Sequence, residues 1–253
     1  MMNKLRRNIF NALILFCAVS LASCKKQSEQ LALPALADYT ALQTGKVLLY
    51  HLDSTIIDPS GTQLVVNTYL VKDSIASTFT DNTGRLSYTV YRFITDTLNT
   101  NPWQPLLTYY ITPTANTVET VDDKNLRFIS LTEPVTEGFS WSGNSYIDTK
   151  SANSNYQFMD GWDYTYQNIN MPYTVIKGSI DSTITVLQVD ETSPPGPFDP
   201  GVYQQRNYSV EVYAKGVGLI YKDFLHWTWQ PNPPPAQYQN DSYGIRLNLI
   251  DVR

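Results

Sequence analysis

The segment Tyr208–Tyr221, YSVEVYAKGVGLIY, decides the fold class of this chain. From Tyr208 to Ala214 the residues alternate with a period of two, which is the spacing of side chains on the two faces of a β-strand. Lys215-Gly216 then supplies a tight reversal, and a second apolar run begins at Leu219. The segment therefore predicts two antiparallel strands joined by a short turn.

The same alternation recurs along most of the chain. Period-two runs occupy residues 47–53, 64–71, 88–94, 180–189 and 245–249. Turn sequences separate several of them, notably Asp58–Gly61 and Asp81–Gly84, in which Asp accepts hydrogen bonds from its own backbone and Gly tolerates a positive φ. The 18 tyrosines, together with frequent Thr and Val, also favour pleated surfaces over helices.

Helical periodicity is rare. Only 38–44 and 153–159 are predicted as short helices, so a parallel α/β architecture, which needs crossover helices, is not expected. We predict one all-β domain over residues 38–253, an antiparallel meander curled into a sandwich or an open half-barrel.

The N-terminus has the layout of a secretory signal peptide. Basic residues at positions 4, 6 and 7 precede the apolar run 9–19, which is shorter than the ~20 residues that span a bilayer. Leu21–Cys24, LASC, resembles a bacterial lipobox. The resemblance implies cleavage after residue 23, acylation of Cys24 and a tether over residues 24–37. Acyl chains contribute ~0.8 kcal/mol per buried methylene, so the predicted partner of Cys24 is a membrane.

Charge and cysteine content exclude several classes of function. The formal net charge is −5, and removal of a signal peptide that holds only basic charges makes it more negative. Nucleic acid is therefore not an expected partner, because its phosphates need a basic face. The two cysteines fall in the signal peptide and at the lipidation position, and there are only two histidines. No thiolate or histidine metal site and no cofactor is expected.

No catalytic motif stands out. A Gly-x-Ser-x-Gly sequence is absent, and Ser142 lies in a different Ser/Gly turn. Paired carboxylates for glycoside hydrolysis stay an open alternative, with Glu133, Glu137, Asp160 and Asp163 as candidates near aromatic residues. The chain is not expected to be an enzyme.

The aromatic residues are the candidate ligand-binding groups. Trp227 and Trp229 are two positions apart, so on a strand they share one face. They precede one of two proline-rich loops, 191–201 and 230–239. An exposed pair would form a ledge for sugar rings, whereas a buried pair would be ordinary packing, which is the favoured alternative. The full set of candidates is Trp141, Trp162, Trp227, Trp229 and Tyr238.

Four short sequences resemble the O-glycosylation signal of exported Bacteroidota proteins, in which Asp precedes Ser or Thr. They predict possible modification at Ser54, Ser74, Thr97 and Ser182. The pattern is short, and Asp-Ser pairs are also common at turns.

The whole chain is similar to a loose group of uncharacterised exported lipoproteins of the Bacteroidota. The residues that carry the resemblance are the lipobox followed by Lys25-Lys26, the opening strand 42–50 and the YAKGVGLI sequence at 213–220. It implies attachment to the outer membrane, with the periplasmic face favoured because no acidic cluster follows Cys24. It transfers no functional residues.

The predicted function is that of a non-catalytic lipoprotein that binds a glycan, a lipid or a protein partner at the cell envelope. Each alternative predicts a different structure. A glycan-binding module needs an exposed coplanar row of aromatic rings, a carrier needs an enclosed apolar cavity, and a hydrolase needs two carboxylates ~5–9 Å apart in a cleft.

Overall fold

Antiparallel strands dominate the part of the chain that the computed structural model describes, residues 35–253. The strands are β1 (Val47–Ile57), β2 (Leu64–Thr80), β3 (Leu86–Thr95), β4 (Gln104–Pro113), β5 (Thr117–Val121), β6 (Arg127–Thr132), β7 (Ser140–Trp141), β8 (Tyr164–Val175), β9 (Gly178–Ser193), β10 (Gln204–Ala214), β11 (Gly218–Gln230), β12 (Gln237–Tyr238) and β13 (Tyr243–Val252). The helix α1 spans Leu36–Thr40, and a 3-10 helix spans Gln157–Met159. The predicted signal peptide, Cys24 and most of the predicted tether lie outside the described residues.

The strands form one sheet that curls into a nearly closed barrel. Its order is β6-β5-β4-β3-β2-β1-β13-β11-β10-β9-β8-β7, with β12 paired to β11 outside this path. All the neighbouring strands pair antiparallel, so the predicted all-β antiparallel meander is confirmed. The chain enters at β1 in the middle of the path, and the last strand, β13, fills the position between β1 and β11.

Backbone and side-chain hydrogen bonds close the gap between the two ends of the sheet, from β6 to the segment that contains β7 and β8. The Ile129 N–H donates to the Gly143 carbonyl at 2.7 Å, and the Trp141 indole N–H donates to the Ile129 carbonyl at 2.8 Å. The Tyr166 hydroxyl donates to the Thr132 carbonyl at 2.7 Å and accepts from the Thr132 N–H at 2.9 Å. We call these contacts the seam. They satisfy backbone groups that an open sheet edge would leave unpaired.

The predicted turns are confirmed at β1–β2, β2–β3 and β10–β11. In the first, Asp58 Oδ1 accepts the N–H groups of Thr62 and Gln63, both at 2.9 Å, and Gly61 has φ +77°. In the second, Asp81 Oδ1 accepts the Thr83 N–H at 2.9 Å. A carboxylate that accepts hydrogen bonds from nearby backbone N–H groups stabilises such a turn through local contacts alone.

The helices are shorter than predicted. Instead of 38–44, α1 begins two residues earlier and stops at Thr40, because Ala41 adopts a left-handed conformation with φ +44°. In 153–159 only the last three residues are helical, as the 3-10 turn. Leu36, within the predicted tether, is 5% exposed and packs in the core, so the folded part begins before residue 38.

The two ends of the barrel are covered differently. At one end, α1 lies against the β10–β11 turn, where the Gly216 N–H donates to the Asp38 carbonyl at 2.7 Å, and Tyr39 is fully buried. At the other end, Phe158 of the 3-10 helix stacks on the buried His226 ring at 3.8 Å. No helix among residues 35–253 has the length and apolar character that a membrane crossing requires.

Candidate binding site

A cavity of about 420 Å³ lies inside the barrel, between the strands and the covering segments at the two ends. Small-molecule sites in proteins measure ~300–1,000 Å³. Its apolar wall is formed by Leu42, Leu107, Ile111, Val118, Leu126, Phe128, Met159, Trp162, Phe224, Ile245 and Leu247. The wall draws on strands from both halves of the sheet, so the cavity exists only because the sheet has curled.

An ion pair lies in the cavity lining, on β10 and β11. Glu211 and Lys222 are direct partners in the strand register, and Lys222 Nζ donates to Glu211 Oε1 at 2.8 Å. Tyr213, two residues along β10 and on the same face, donates its hydroxyl to Glu211 Oε2 at 2.5 Å. Burial, and then the charge of Glu211, raises the pKa of Tyr213 well above its usual value. Both carboxylate oxygens of Glu211 are thus occupied.

A second ion pair lies on β2 and β3. Arg92 donates from Nε and one terminal nitrogen to the two oxygens of Asp73, both at 2.6 Å, and the Tyr109 hydroxyl adds a third bond at 2.9 Å. Asp73 is 1% exposed. Burial by itself would lower the pKa of the Arg92 guanidinium, but the bidentate contact with Asp73 raises it above its usual value.

The two ion pairs share a neighbour, Tyr50. Its hydroxyl donates to the Leu219 carbonyl at 2.8 Å, and the residue is 1% exposed. Burial raises the pKa of Tyr50 most, Asp73 and Glu211 raise it further, and Arg92 lowers it. The Tyr50 hydroxyl is therefore within electrostatic range of both pairs, and the polar groups of the cavity form one cluster.

Two further polar side chains face the cavity. Gln188 accepts a hydrogen bond from Ser209 Oγ on its carbonyl oxygen at 2.5 Å, which leaves its amide N–H groups for another partner. Burial, and then Glu211, raises the pKa of Tyr164, whose hydroxyl makes no hydrogen bond to another residue of the described part. Both side chains can donate to a ligand in the cavity.

The β5–β6 turn forms part of the rim. Asp122 Oδ1 accepts the N–H groups of Lys124 and Leu126 at 2.9 and 2.8 Å, and Lys124 Nζ lies 5.2 Å from the centre of the Tyr243 ring. Burial raises the pKa of Asp122, and burial followed by Asp122 raises the pKa of Tyr243 to about 12. Since β5 and β13 are far apart in the sheet order, this turn reaches across the end of the barrel.

Three of the five predicted aromatic residues come together, but on the outside of the barrel wall. Tyr238 lies 5.0 Å from Trp229 and 5.9 Å from Trp227, with both contacts edge-to-face. Phe198, from the first proline-rich loop, packs on all three rings. Trp229 is 5% exposed and donates its indole N–H to the Pro200 carbonyl at 3.0 Å. Trp229 is thus packed beneath the loop, and most ring contacts in the cluster are edge-to-face.

The other two aromatic candidates lie elsewhere. Trp141 belongs to the seam, 4.6 Å from the ring of Tyr166. Trp162 is 3% exposed, donates its indole N–H to the Phe158 carbonyl at 2.9 Å and lines the cavity. The structure therefore does not bring the five residues into one site, and Trp162 alone among them contacts the cavity.

The carboxylates considered for hydrolysis also have separate surroundings. Asp160 binds Lys150 Nζ at 2.8 Å on the surface, and Glu137 accepts the N–H groups of Asn168 and Ile169 at 3.1 Å. None of the four candidates lines the cavity. Among residues 35–253, no three His, Cys, Asp or Glu side chains converge in a way that could hold a metal ion.

The possible glycosylation positions differ in exposure. Thr97 is exposed in a loop, whereas Ser54, Ser74 and Ser182 are half-buried within strands. Asp73, the residue before Ser74, is the buried partner of Arg92. Modification at these positions stays a prediction.

The polar cluster of the cavity is absent from the sequence-based candidates. One signal could have indicated it: Glu211 and Lys222 face each other across the predicted hairpin with opposite charges. The second pair, Asp73 and Arg92, lies across the β2–β3 hairpin in the same way. Comparison with known proteins found no matching family model and no curated protein that is similar to this chain.

Proposed function

We propose that this protein is a non-catalytic binding protein that holds a small amphipathic molecule, a lipid-like ligand of the cell envelope, inside its barrel. The observation that carries the proposal is the cavity of about 420 Å³ with an apolar wall and one polar cluster. An apolar pocket with a few convergent polar groups is the usual form of a small-molecule site. Of the three predicted structural signs, the cavity with a mainly apolar lining is the one that supports this choice.

The two alternatives have less support. Of the best glycan platform, Trp227 with Trp229, the second ring is only 5% exposed, and Phe198 contacts both rings edge-to-face, which is unlike an exposed coplanar pair. For hydrolysis, Glu211 would have to act as acid or base, yet both its oxygens are occupied by Lys222 and Tyr213.

The proposal includes the lipid anchor on Cys24 and attachment to the outer membrane, with the periplasmic face favoured. Its support is the resemblance of Leu21–Cys24 to a lipobox. Metabolic labelling of the full chain with a clickable fatty acid tests it. We expect label on the wild type and none on Cys24→Ala, and an unlabelled wild type would remove the anchor from the proposal.

Filling the cavity tests the binding function. Leu107 lines the cavity, while its neighbour Leu106 is 45% exposed on the other face of β4. Leu107→Trp should weaken binding of the apolar fluorescent probe N-phenylnaphthylamine about tenfold or more, equivalent to about 1.4 kcal/mol. The matched control Leu106→Trp should bind as the wild type does. Equal probe binding by a folded Leu107→Trp would contradict the proposal.

A further inference from the structure

Several side chains of the polar cluster carry hydrogen-bond donors that no acceptor of the described part uses. The side chain of Lys222 is 33% exposed, against 8% for Glu211, which also lines the cavity. Lys222 carries three N–H donors and uses one of them on Glu211. Its ammonium group therefore has donors left for a ligand, while each oxygen of Glu211 already accepts one hydrogen bond.

In the second ion pair only the cation lines the cavity. Asp73 is not part of the cavity lining, whereas Arg92 is. A guanidinium group carries five N–H donors, and two nitrogens of Arg92 bind Asp73. The Gln188 amide and the Tyr164 hydroxyl add two more potential donors. A ligand in the cavity thus meets donors from four side chains on the strands.

The acidic groups of the lining do not cancel this preference. Asp122 and Asp123 belong to the rim turn beside Tyr243, with Lys124 next to them. Lys222 pairs with Leu247, four residues further along β13 than Tyr243. At ~3.4 Å per residue, the backbone of Lys222 lies about 14 Å along the strands from the rim turn. Because Asp122 also accepts two backbone N–H groups, its charge is partly compensated where it stands.

We infer that the bound molecule is an alkyl chain that ends in one anionic acceptor group, of which a carboxylate is the smallest, and that this group binds Lys222 and Arg92 at the polar cluster. The inference rests on the proposed function and names the ligand class of the same site. An anion accepts charge-assisted hydrogen bonds, which are stronger than neutral ones. An ammonium group would instead oppose N–H donors that it cannot accept from.

Three probes of the same chain length that differ only in the head group distinguish an anionic, a neutral and a cationic ligand: dodecanoic acid, dodecanol and dodecylamine. Each is titrated at neutral pH into wild-type protein carrying N-phenylnaphthylamine, and displacement gives its Kd. We expect the acid to bind about tenfold or more tightly than the alcohol, and the amine to bind most weakly. If the alcohol or the amine binds as tightly as the acid, the anionic class is wrong although the cavity still binds amphiphiles. If none of the three displaces the probe, the proposed function fails as well.

A pair of variants assigns the preference to the cluster. The double variant Glu211→Gln with Lys222→Met removes both charges, so neither is left buried without its partner. We expect it to lose about tenfold in affinity for dodecanoic acid and to keep its affinity for dodecanol within about twofold. Lys150→Met, at an 80% exposed side chain, is the matched control and should retain the acid preference. An unchanged acid preference in the folded double variant would overturn the assignment, and the wild-type series decides the ligand class if the variant does not fold.

Discussion

At the scale of the residue, Asp73 shows how the barrel interior tolerates a charge. It is 1% exposed and accepts two hydrogen bonds from Arg92 and one from Tyr109. Replacing a buried ion pair by apolar residues is often nearly neutral, but removal of one member leaves the other charge uncompensated. Removal of Asp73 would leave the charge of Arg92 without its partner, and the Arg92 side chain is only 11% exposed.

Asp73→Ala should therefore lower the free energy of unfolding by about 3–5 kcal/mol. Urea denaturation followed by tryptophan fluorescence measures the change. The surface pair Lys150–Asp160 provides the comparison, since its side chains are 80% and 42% exposed. Lys150→Ala should change the same quantity by less than about 1 kcal/mol. A similar decrease in the free energy of unfolding in both variants would mean that the burial of Arg92 does not determine the loss of stability.

At the scale of the element, the seam determines whether the sheet is a barrel or an open surface. The Tyr166 hydroxyl forms hydrogen bonds with both the N–H and the carbonyl of Thr132 on β6. In a closed sheet, the backbone of a neighbouring strand would form these bonds. The Tyr166 ring is fully buried against Trp141, so it is held in place by packing as well as by its hydroxyl.

Tyr166→Phe should cost about 1–3 kcal/mol in the free energy of unfolding, because it leaves the Thr132 N–H and carbonyl without their partner. Amide hydrogen exchange at Thr132 should accelerate in the folded state. Tyr146→Phe, on a 57% exposed ring, is the control and should change neither quantity. Unchanged exchange at Thr132 in Tyr166→Phe would show that the seam does not depend on this hydroxyl.

At the scale of the whole molecule, the barrel buries an unusual number of phenol groups. Burial is the largest cause of a raised pKa at each of Tyr50, Tyr109, Tyr164, Tyr166, Tyr213 and Tyr243. For Tyr243 the raised value is about 12. The folded state therefore favours the protonated phenols more than the unfolded state does.

This difference predicts alkaline unfolding. Tyrosines in the unfolded chain ionise near pH ~10, so the stabilisation is fully present below that pH and is lost as the pH rises through the folded-state values. The free energy of unfolding should be constant up to about pH 10 and should fall above it, as urea denaturation at a series of pH values would show. Tyrosinate absorbance should rise together with the loss of tertiary structure. Complete tyrosine ionisation in a protein that stays folded would contradict this account.

The sequence by itself determined the fold class and the hairpins. Turn chemistry is local, so Asp58–Gly61 and Asp81–Gly84 could be assigned from their own residues, and period-two runs identified the strands around them. Strands β5 and β6, with the sequences TVETV and RFISLT, do not alternate strictly between apolar and polar residues, so the pattern does not distinguish them from loops. The early end of α1 could not be predicted from the sequence either, because it depends on the left-handed conformation of Ala41 rather than on a capping side chain.

Only the tertiary structure decided which face of each strand points inward. In β10, alternation separates Glu211 and Tyr213 from Val210 and Val212, and hydrophobicity alone would place the valines inside. Instead Glu211 and Tyr213 line the cavity, while Val212 packs in a cluster with Val175, from the tip of the β8–β9 hairpin. Period two specifies that a strand has two faces, but the partner of each face is set by long-range contacts. The cavity, its polar cluster and the seam all arise from such contacts, and the opposite charges of Glu211 and Lys222 across the predicted hairpin are the one local sign of the site that the sequence carries.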